Sequence, residues 1–360
     1  MRCSGERQGA RRVYTYKHLY RSFYTDKAQR GRAQMARVTS KDVARAAGVS
    51  QATVSFVMNG RHLNRITDQT RDVVLRAAGE LGYVPSASGR TLKAGRSNVV
   101  TCIVPDMRPS EAVEVFKRAL SGALADSGYA CVFIHPTGGL NAADLWKYLE
   151  PCAVVGLDKI GTEDAQTLRN GGTPVVDGLL LSGAAQIIDQ HKIGELQVRH
   201  LAAQGHRRIA YAAVDDASED IVSEQRVNGA LDAARQLGLP EPRITRMGYT
   251  AAAARDSVRD LVFGAEPVTA VAIFSDVLAL ALIAAAQDQS ITVPRDLAVI
   301  GVDNIQLAAL SVPSLTTVSM DLSGAAQALA RHLSHLIQTP GESPPAFRAG
   351  ALNVIERQTA

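Results

Sequence analysis

The sequence predicts a small all-α head with a helix-turn-helix on its N-terminal side, followed by an α/β core of two lobes built on parallel, doubly wound sheets. Two observations carry this prediction. Residues 41–60 have the spacing of two short helices joined by a tight turn. From residue 98 onward, short β-branched runs alternate with helix-like segments, and the alternation restarts near residue 189. Such alternation implies parallel sheets, and so many units imply two sheets rather than one.

The head is predicted from the segment KDVARAAGVSQATVSFVMNG, residues 41–60, whose apolar side chains recur on the inner faces of two helices. The inward positions are Val43, Ala44, Ala47, Val54 and Val57, and the turn is Gly48-Val49-Ser50. The second helix of such a motif lies in the major groove of DNA. The segment therefore indicates gene regulation, and no other segment carries so specific a signal.

Further sequence signals indicate where the head begins and ends. Thr39 and Asp42 have the form of a capping box. Residues 67–81 are predicted to form a third helix that Gly82 ends. Its inward face is predicted to hold Val73, Val74, Ala77, Ala78 and Leu81. We therefore assign residues 35–83 to the head and residues 84–97, which are rich in small and basic side chains, to a hinge.

Charge is divided unevenly along the chain. The net charge of +4 is made up of +7 in residues 1–34, +6 in residues 35–98 and −9 in residues 99–360. A basic front on an acidic body is typical of a polyanion-binding module attached to an ordinary soluble domain. No apolar run approaches the roughly 20 residues of a membrane span, and the N-terminus has no apolar signal-peptide core. We therefore expect a cytoplasmic protein with no membrane partner.

Residues 1–34 are rich in Arg, Lys and Tyr and show no apolar periodicity, so we expect a disordered basic extension. Two interpretations of it stay open. Either translation begins at Met35, directly before the head, or the extension is a basic arm that adds phosphate contacts.

The cysteines show no metal-binding or disulfide pattern. Cys3, Cys102, Cys131 and Cys152 form no CxxC spacing, and three of them lie in or next to apolar runs. We expect buried free thiols in a reducing compartment, with no disulfide bond, no metal and no cofactor.

The core is predicted to contain two similar sets of strands and helices. The first set has strands at residues 99–104, 130–134, 153–157 and 175–176, with helices between them. The second set has strands at residues 208–213, near 244, at 270–274 and at 298–301. One of its helices ends near residue 204, and the others cover residues 223–237, 256–263 and 277–287. We assign about 98–188 and 319–340 to the first lobe, and about 189–318 and 341–360 to the second. Ligands of such sheets bind at the carboxyl ends of the strands, so we expect a site in the cleft between the lobes.

The chain resembles the lactose-repressor/galactose-repressor (LacI/GalR) family of bacterial transcription regulators over residues 38–358. The resemblance lies in VTSKDVARAAGVSQATVSFVMNG (38–60), ELGYVP (80–85), GHRRIAY (205–211), VPRDLAVIGVDN (293–304) and PSLTTV (313–318). It implies a periplasmic-binding-protein-like core and a homodimer on a near-palindromic operator of double-stranded DNA. It also implies a small-molecule effector, such as a sugar or related metabolite, that changes DNA affinity.

The resemblance places Gln51, Ala52 and Phe56 at the base edges of DNA. Glutamine can bond adenine through two hydrogen bonds, whereas alanine and phenylalanine make only apolar contacts. For Phe56, packing beside the third helix is an equal alternative. The small polar residues expected at phosphates are Ser50, Thr53, Ser55 and Asn59, and Thr39 completes the DNA-binding set. For Ser50 and Asn59, capping and turn chemistry is an equal alternative.

In the hinge, one residue matches a DNA-contacting position of the family, and two residues differ from those that the family usually has. Leu92 matches the leucine that the family inserts into the minor groove at the operator centre, which kinks the duplex. Gly89 stands where the family usually has alanine, and Ser86 where it usually has asparagine. Because glycine weakens a helix by about 1 kcal/mol relative to alanine, we expect a hinge helix that folds only on DNA.

The resemblance carries four effector-binding residues onto this chain. Asp303, at the end of a predicted strand, is expected to accept hydrogen bonds from the ligand, and Arg226 is expected to donate to it. Ser275 follows another strand, and Tyr249 falls where an aromatic residue lines the cleft. The alternative for Arg226 is an ion pair with Asp303 or with a surface acid. We expect Asp276 to cap a helix rather than to bind ligand.

The first lobe departs from the family pattern. VPDMRPSEAVEVF stands where the family has Asn-Pro-Phe after the first strand, and residues 136–175 look shortened. Arg108 and Ser110 are candidate ligand contacts in this segment. Tyr249 and Phe274 are the aromatic candidates for stacking on a sugar.

Two other functional classes are disfavoured. A solute-binding protein for transport would have a similar core, but the head and the lack of a signal-peptide core argue against it. An enzyme is disfavoured because GxGxxG after a strand, GxxxxGK[ST], GxSxG and HExxH are all missing. No leucine heptad follows the strand-like tail at 348–360, so a tetramer through a terminal coiled coil is not predicted.

Overall fold

The computed structural model describes residues 38–58, 66–83, 97–135, 149–180, 186–344 and 349–360. The chain divides into two compact units, Met1–Gly89 and Arg90–Ala360. The predicted hinge residues Ser86, Gly89 and Leu92, the residue Asn59 and the extension 1–34 lie outside the described residues.

The first unit holds three described helices, α1 (Ser40–Ala47), α2 (Gln51–Met58) and α3 (Asp68–Glu80). The polar groups at their ends explain these bounds. The backbone N–H of Thr39 donates to Asp42 Oδ2 at 3.0 Å, and Gly48 ends α1 with a positive φ of 66°. The predicted helix-turn-helix and third helix are therefore confirmed.

The core of this unit lies where the three helices meet. Its fully or nearly buried side chains are Val43, Ala44, Val54, Val57, Val74, Ala77 and Ala78. The inward face predicted for α3 is wrong at two positions, because Val73 and Leu81 are each 38% exposed. Val73 lies at the edge of the apolar stripe, and Leu81 follows the last turn of the helix.

The second unit begins with a parallel sheet that we call the first-lobe sheet. Its strands are β1 (Val99–Ile103), β2 (Ala130–Ile134), β3 (Ala153–Gly156) and β4 (Val175–Val176), in the spatial order β2-β1-β3-β4. The helices α4 (Glu111–Asp126) and α5 (Thr162–Asn170) belong to it. All four strands were predicted. The helix expected between β2 and β3 falls largely on residues 136–148, outside the described ones.

The second-lobe sheet has six strands and follows along the chain. Its strands are β5 (Ile209–Val214), β6 (Arg243–Met247), β7 (Ala270–Ile273), β8 (Ala298–Val302), β9 (Thr316–Met320) and β10 (Leu352–Ile355). The spatial order is β10-β9-β8-β7-β5-β6, and β10 alone pairs antiparallel. The remaining helices are α6 (Gln190–Ala203), α7 (Asp220–Gln236), α8 (Ala251–Phe263), α9 (Asp276–Asp288), α10 (Gln306–Leu310) and α11 (Leu322–Gln338).

Helix starts account for most differences from the prediction. Helix α8 begins at Ala251 rather than residue 256, because the Thr250 hydroxyl accepts from the backbone N–H of Ala253 at 3.1 Å. Helix α7 begins at Asp220 rather than residue 223. The strand β9 and the helix α11 had no predicted bounds. Helix α11 packs against α4 of the first lobe, although β9 before it and β10 after it lie in the second-lobe sheet.

Close packing of α6 on α7 fixes one side of the second lobe. A Cβ atom on Gly194 would overlap the carbonyl oxygen of Arg226, and a Cβ atom on Gly229 would overlap that of His191. The two backbones therefore touch where the glycines face each other. This contact holds Arg226 in place beneath the carboxyl ends of the neighbouring strands.

Two further findings concern the cysteines and the possibility of a membrane-spanning helix. Cys102 and Cys131 are free thiols, as expected, and burial raises the pKa of Cys131 to about 12. No helix within the described ranges combines the length and the apolar character that a membrane crossing needs.

Candidate functional site

The exposed side of α2 carries the residues predicted to contact bases. Gln51 and Ala52 are exposed, whereas Phe56 is partly buried. The Gln51 side chain is already engaged, since its Nε2 donates to Ser40 Oγ at 2.7 Å. A contact between Gln51 and adenine therefore needs this bond to the start of α1 to break.

The small polar residues around α2 act on the helix itself. Ser50 Oγ accepts from the backbone N–H of Thr53 at 3.1 Å and lies 2.9 Å from Thr53 Oγ1. Ser50 thus caps α2, the alternative that the sequence left open, while remaining exposed. Thr39 similarly caps α1. Ser55 lies partly buried on the same helix.

A cavity of about 510 Å³ lies between the two lobes of the second unit. Residues of the loop and helix after β1 line it on the first-lobe side, and residues after β7 and β8 line it on the second. The four residues predicted to bind an effector all lie on its second-lobe wall: Arg226, Tyr249, Ser275 and Asp303. The structure thus brings together four positions that are widely separated in sequence.

Arg226 is the buried cation of the cavity, with 5% of its surface exposed. Its Nε donates to Gln190 Oε1 at 2.8 Å, and its Nη1 donates to the carbonyl oxygen of Phe274. The guanidinium lies 4.6 Å from the centre of the Phe274 ring. Within the described residues, it makes no ion pair with Asp303 or with a surface acid, so that alternative is wrong.

Asp303 is a partly buried acid of the second-lobe wall. It directly follows β8 and has a φ of 112°, which is uncommon for a residue with a Cβ. No hydrogen bond reaches its carboxylate from any described residue. Burial raises its pKa to about 7, although the charge of Arg226 acts in the opposite direction.

Tyr249 is tied to a second carboxylate that sequence reasoning missed. Its hydroxyl donates to Glu219 Oε2 at 3.0 Å. Glu219 is 6% exposed and lines the cavity, and burial raises its pKa. No motif marks Glu219, which stands in an acidic run just before α7. Gln190, the acceptor for Arg226, was missed for the same reason.

The helix cap expected at Asp276 is instead Ser275, which also lines the cavity. Ser275 is the N-cap of α9, with its Oγ accepting from the backbone N–H of Leu278 at 3.4 Å. Asp276 is fully buried and does not cap the helix. Its Oδ1 accepts from Thr317 Oγ1 at 2.7 Å, and its Oδ2 accepts from the backbone N–H of Ile305 at 3.0 Å. Asp276 therefore joins α9 to the segments after β8 and in β9.

The first-lobe segment that departs from the family bridges the two lobes. Arg108 Nε donates to Asp216 Oδ2 at 2.6 Å, and its guanidinium lies 4.5 Å from the centre of the Tyr249 ring. Ser110 caps α4, because its Oγ accepts from the backbone N–H of Val113 at 3.2 Å. Both residues line the cavity, and Arg108 Nε and Ser110 Oγ are engaged with protein.

The comparisons with known families match both units. Residues 39–86 match the family described as bacterial regulatory proteins, lacI family, and residues 198–360 match the periplasmic binding protein-like domain. Within the described residues, no group of histidine, cysteine, aspartate and glutamate could hold a metal ion.

Curated relatives cover most of this chain. Catabolite control protein A of Priestia megaterium is 30% identical over 78% of this chain and 87% of its own length. The transcriptional repressor CytR of Escherichia coli K12 is 30% identical over 81% of this chain and 87% of its own. The transcriptional regulator CelR of Thermobifida fusca is 30% identical over 82% of this chain and 91% of its own length.

Solved structures show the same fold. The lac repressor dimer bound to operator and an anti-inducer has a TM-score of 0.73 at 22% identity, over 89% of this chain and 98% of that one. The CelR–cellobiose complex has a TM-score of 0.58 at 25% identity, over 90% of this chain and all of that one.

Proposed function

Because the chain belongs to the LacI family of bacterial regulatory proteins, we propose that it is a cytoplasmic transcriptional repressor whose operator affinity is controlled by a small molecule bound between its lobes. One observation carries the proposal. The same chain holds a helix-turn-helix whose second helix exposes Gln51 and Ala52, and a cavity between its lobes that is lined by Arg226 and Asp303.

The proposed DNA-binding unit is a homodimer on a near-palindromic operator. A single head reads one half-site, and two half-sites require two-fold symmetry. The DNA contacts that we propose are Thr39, Ser50, Gln51, Ala52, Thr53, Ser55, Phe56, Asn59 and Leu92. In this scheme Gln51 and Ala52 contact base edges, while the capping hydroxyls also face phosphates.

The proposed effector contacts are Arg226, Tyr249, Ser275 and Asp303. Asp303 accepts from the ligand, because its carboxylate has no described protein donor. Arg226 is held rigid by Gln190 and Phe274. A sugar or related metabolite fits this role, and relatives in this family have been solved with cellobiose and with ribose. We propose binding without turnover, as the relatives are regulators.

The proposal is tested by selection from a random DNA library with the purified full chain. Enrichment of an inverted repeat supports specific repression, and the enriched site then serves as a probe for effectors. The selection is repeated with a metabolite mixture, which supplies any corepressor. If neither selection enriches a sequence, the proposal fails.

A pair of matched variants tests whether α2 is the helix that contacts the bases. Gln51→Ala is expected to weaken the preference for one base at one position of each half-site, by about 1–3 kcal/mol of binding free energy. Gln69→Ala, at an exposed position near the start of α3, is the control and should leave the selected sequence unchanged.

A further inference from the structure

We propose that Arg357, in the C-terminal tail, is a positioning residue of the effector site and fixes the turn that presents Asp303 to the cavity. We call residues 303–305 the Asp303 turn. The inference rests on the proposed function, since it adds a residue to the effector site proposed there. Arg357 is not among the described residues that line the cavity, so it acts on a ligand only through this turn.

The backbone of the Asp303 turn is unusual. The turn follows β8 directly, and Asp303 and Asn304 have φ values of 112° and 53°. Residues with a Cβ seldom adopt positive φ, although asparagine and aspartate do so more readily than most. Two such residues in succession persist only where the surrounding structure holds them. The contacts of the turn therefore decide where the Asp303 carboxylate lies.

Main-chain hydrogen bonds supply part of this restraint. The three backbone N–H groups of the turn donate, in order, to the carbonyl oxygen of Val318 at 3.0 Å, to Thr317 Oγ1 at 3.3 Å and to Asp276 Oδ2 at 3.0 Å. These bonds hold the N–H side of the turn on β9 and on the start of α9. They leave the side chain of Asn304 to be fixed separately.

Arg357 fixes that side chain. Its Nη2 donates to Asn304 Oδ1 at 2.6 Å, and its Nη1 donates to the carbonyl oxygen of Leu315 at 2.7 Å. Leu315 is completely buried directly before β9. The planar guanidinium donates both bonds from one rigid group, so it ties Asn304 to the start of β9. Without it, the turn would be free to return to the commoner negative φ values, which would move Asp303 on the cavity wall.

The tail gives Arg357 a fixed base. Thr359 is completely buried, and its Oγ1 donates to the carbonyl oxygen of Val299 at 2.7 Å and accepts from the backbone N–H of Thr316 at 2.8 Å. The backbone N–H of Arg357 itself donates to Thr316 Oγ1 at 2.9 Å. None of these bonds uses the Arg357 side chain. Replacing that side chain by alanine therefore removes the contact with Asn304 and leaves the tail anchored.

The first test measures hydrogen exchange of the free full chain, resolved to single residues. Arg357→Ala should raise the exchange rates of the Asp303 turn by about tenfold or more, the factor that corresponds to a lost hydrogen bond from a charged donor. Asn304→Gly should raise them too, relative to intrinsic rates, because glycine permits positive φ but offers Arg357 no acceptor. The double substitution should add little to Arg357→Ala alone, since both remove the same contact.

Arg243→Ala is the matched control. Arg243 is also partly buried, lies in β6 of the same sheet and donates to a main-chain carbonyl oxygen, that of Asp260, at 3.1 Å. Its loss should leave exchange in the Asp303 turn unchanged. A rise that Arg357→Ala produces equally in the turn and in β5 would show a general loss of stability and contradict a positioning role.

A second test measures the response to a ligand. The probe is the metabolite mixture used in the DNA selection, added in serial dilution to each protein on the selected operator. Arg357→Ala should need about tenfold more of the mixture than the wild-type protein for a half-maximal change in operator binding, because Asp303 is no longer held in place. Arg243→Ala should need the same amount as the wild-type protein.

Three outcomes overturn the inference. They are unchanged exchange in the Asp303 turn, additive effects of Arg357→Ala and Asn304→Gly, and an unaltered response of Arg357→Ala to the mixture. The exchange test uses neither DNA nor effector, so it decides the inference even if the DNA selection enriches nothing. An enriched operator together with unchanged exchange leaves repression standing and rejects the role of Arg357.

Discussion

Two aspartates of the second lobe, Asp276 at the start of α9 and Asp303 directly after β8, show how local surroundings distinguish one carboxylate from another. Asp276 is completely buried and accepts from Thr317 and from the backbone of Ile305. Asp303, with its positive φ, has no described donor. Burial raises the pKa of both, to about 6 for Asp276 and about 7 for Asp303. The fully buried and satisfied carboxylate of Asp276 joins three segments of the fold, whereas the partly buried carboxylate of Asp303 has no such structural role among the described residues.

Asp276→Ala is expected to lower the free energy of unfolding by about 3 kcal/mol, because two buried donors lose their acceptor. Chemical denaturation at neutral pH measures this loss. Asp256→Ala is the control, since its carboxylate is exposed and pairs only with exposed Arg259, and it should cost less than about 0.5 kcal/mol. Equal effects of the two substitutions would contradict the structural role of Asp276.

Asp303→Asn is expected to stabilise the free protein at pH 8 by about 1–3 kcal/mol and to have little effect near pH 4. The folded-state pKa of Asp303 is raised from 3.8 to about 7, so the folded state holds its proton more tightly than the unfolded state. Stability is therefore lost as the pH rises between these two values. Asparagine tolerates positive φ and carries no charge.

Thermal melts of both proteins across this pH range measure the effect. The acidic neighbours Asp276, Glu219 and Glu111 also raise the pKa of Asp303, and Arg226 lowers it. Asp106→Asn, at an exposed position, should show no such dependence. A stabilisation by Asp303→Asn that is the same at both ends of the range would contradict the raised pKa.

At the scale of elements, periodicity predicted which segments form strands and helices, but not where several of them begin. The parallel strands β1 to β4 and β5 to β8 follow from β-branched runs between helical segments. The starts of α7 and α8 were missed, because caps such as Thr250 are recognised only once the preceding loop is known. Strand β9 and helix α11 were left without bounds, because nothing in their local pattern shows that the chain changes lobe there.

The cavity was predictable only in part, for a related reason. Strand ends and the family resemblance pointed to Arg226, Ser275 and Asp303. Glu219 and Gln190 have no distinguishing neighbours in sequence, and their roles arise from contacts with Tyr249 and Arg226 across the fold. A residue whose function depends on a long-range partner leaves no periodic signal along the chain.

The packing of α6 on α7 gives an element-scale prediction. Gly229→Ala is expected to destabilise the protein by about 1–3 kcal/mol, because the new Cβ would overlap the carbonyl oxygen of His191. Gly122→Ala in α4 is the matched control. Its Cβ would meet no atom within 4 Å, so the substitution should stabilise by about 0.5–1 kcal/mol. Urea denaturation of both variants checks the sign, and a loss of stability in both would contradict the close packing.

At the scale of the whole second unit, the chain passes between the lobes after β4, after β9 and after α11. These connections join the lobes but leave a cavity between them. Side chains also bridge the gap. Arg108, on the first-lobe loop after β1, reaches Asp216 and Tyr249 of the second lobe. We call this bridge the Arg108 clasp.

The Arg108 clasp is expected to restrain opening of the cavity. Asp216 is held in place by Ser218, whose backbone N–H and hydroxyl both donate to Asp216 Oδ1. Hydrogen bonding lowers the pKa of Asp216 and raises that of Arg108, so both stay charged at neutral pH. Because the pair is partly exposed, solvent screens its attraction. We therefore expect its removal to change the population of an open state by no more than roughly two- to fivefold.

Removal of the clasp gives the prediction for the whole unit. Arg108→Ala and Asp216→Ala are each expected to raise amide hydrogen exchange about two- to fivefold in the loop between β1 and α4, because this loop loses its anchor on the second lobe. The double substitution should add little to either single one, since both remove the same interaction. Arg259→Ala, which removes an ion pair within one lobe, should leave exchange in this loop unchanged. Additive effects of Arg108→Ala and Asp216→Ala would show that the two residues act independently, and the clasp would then not couple the lobes.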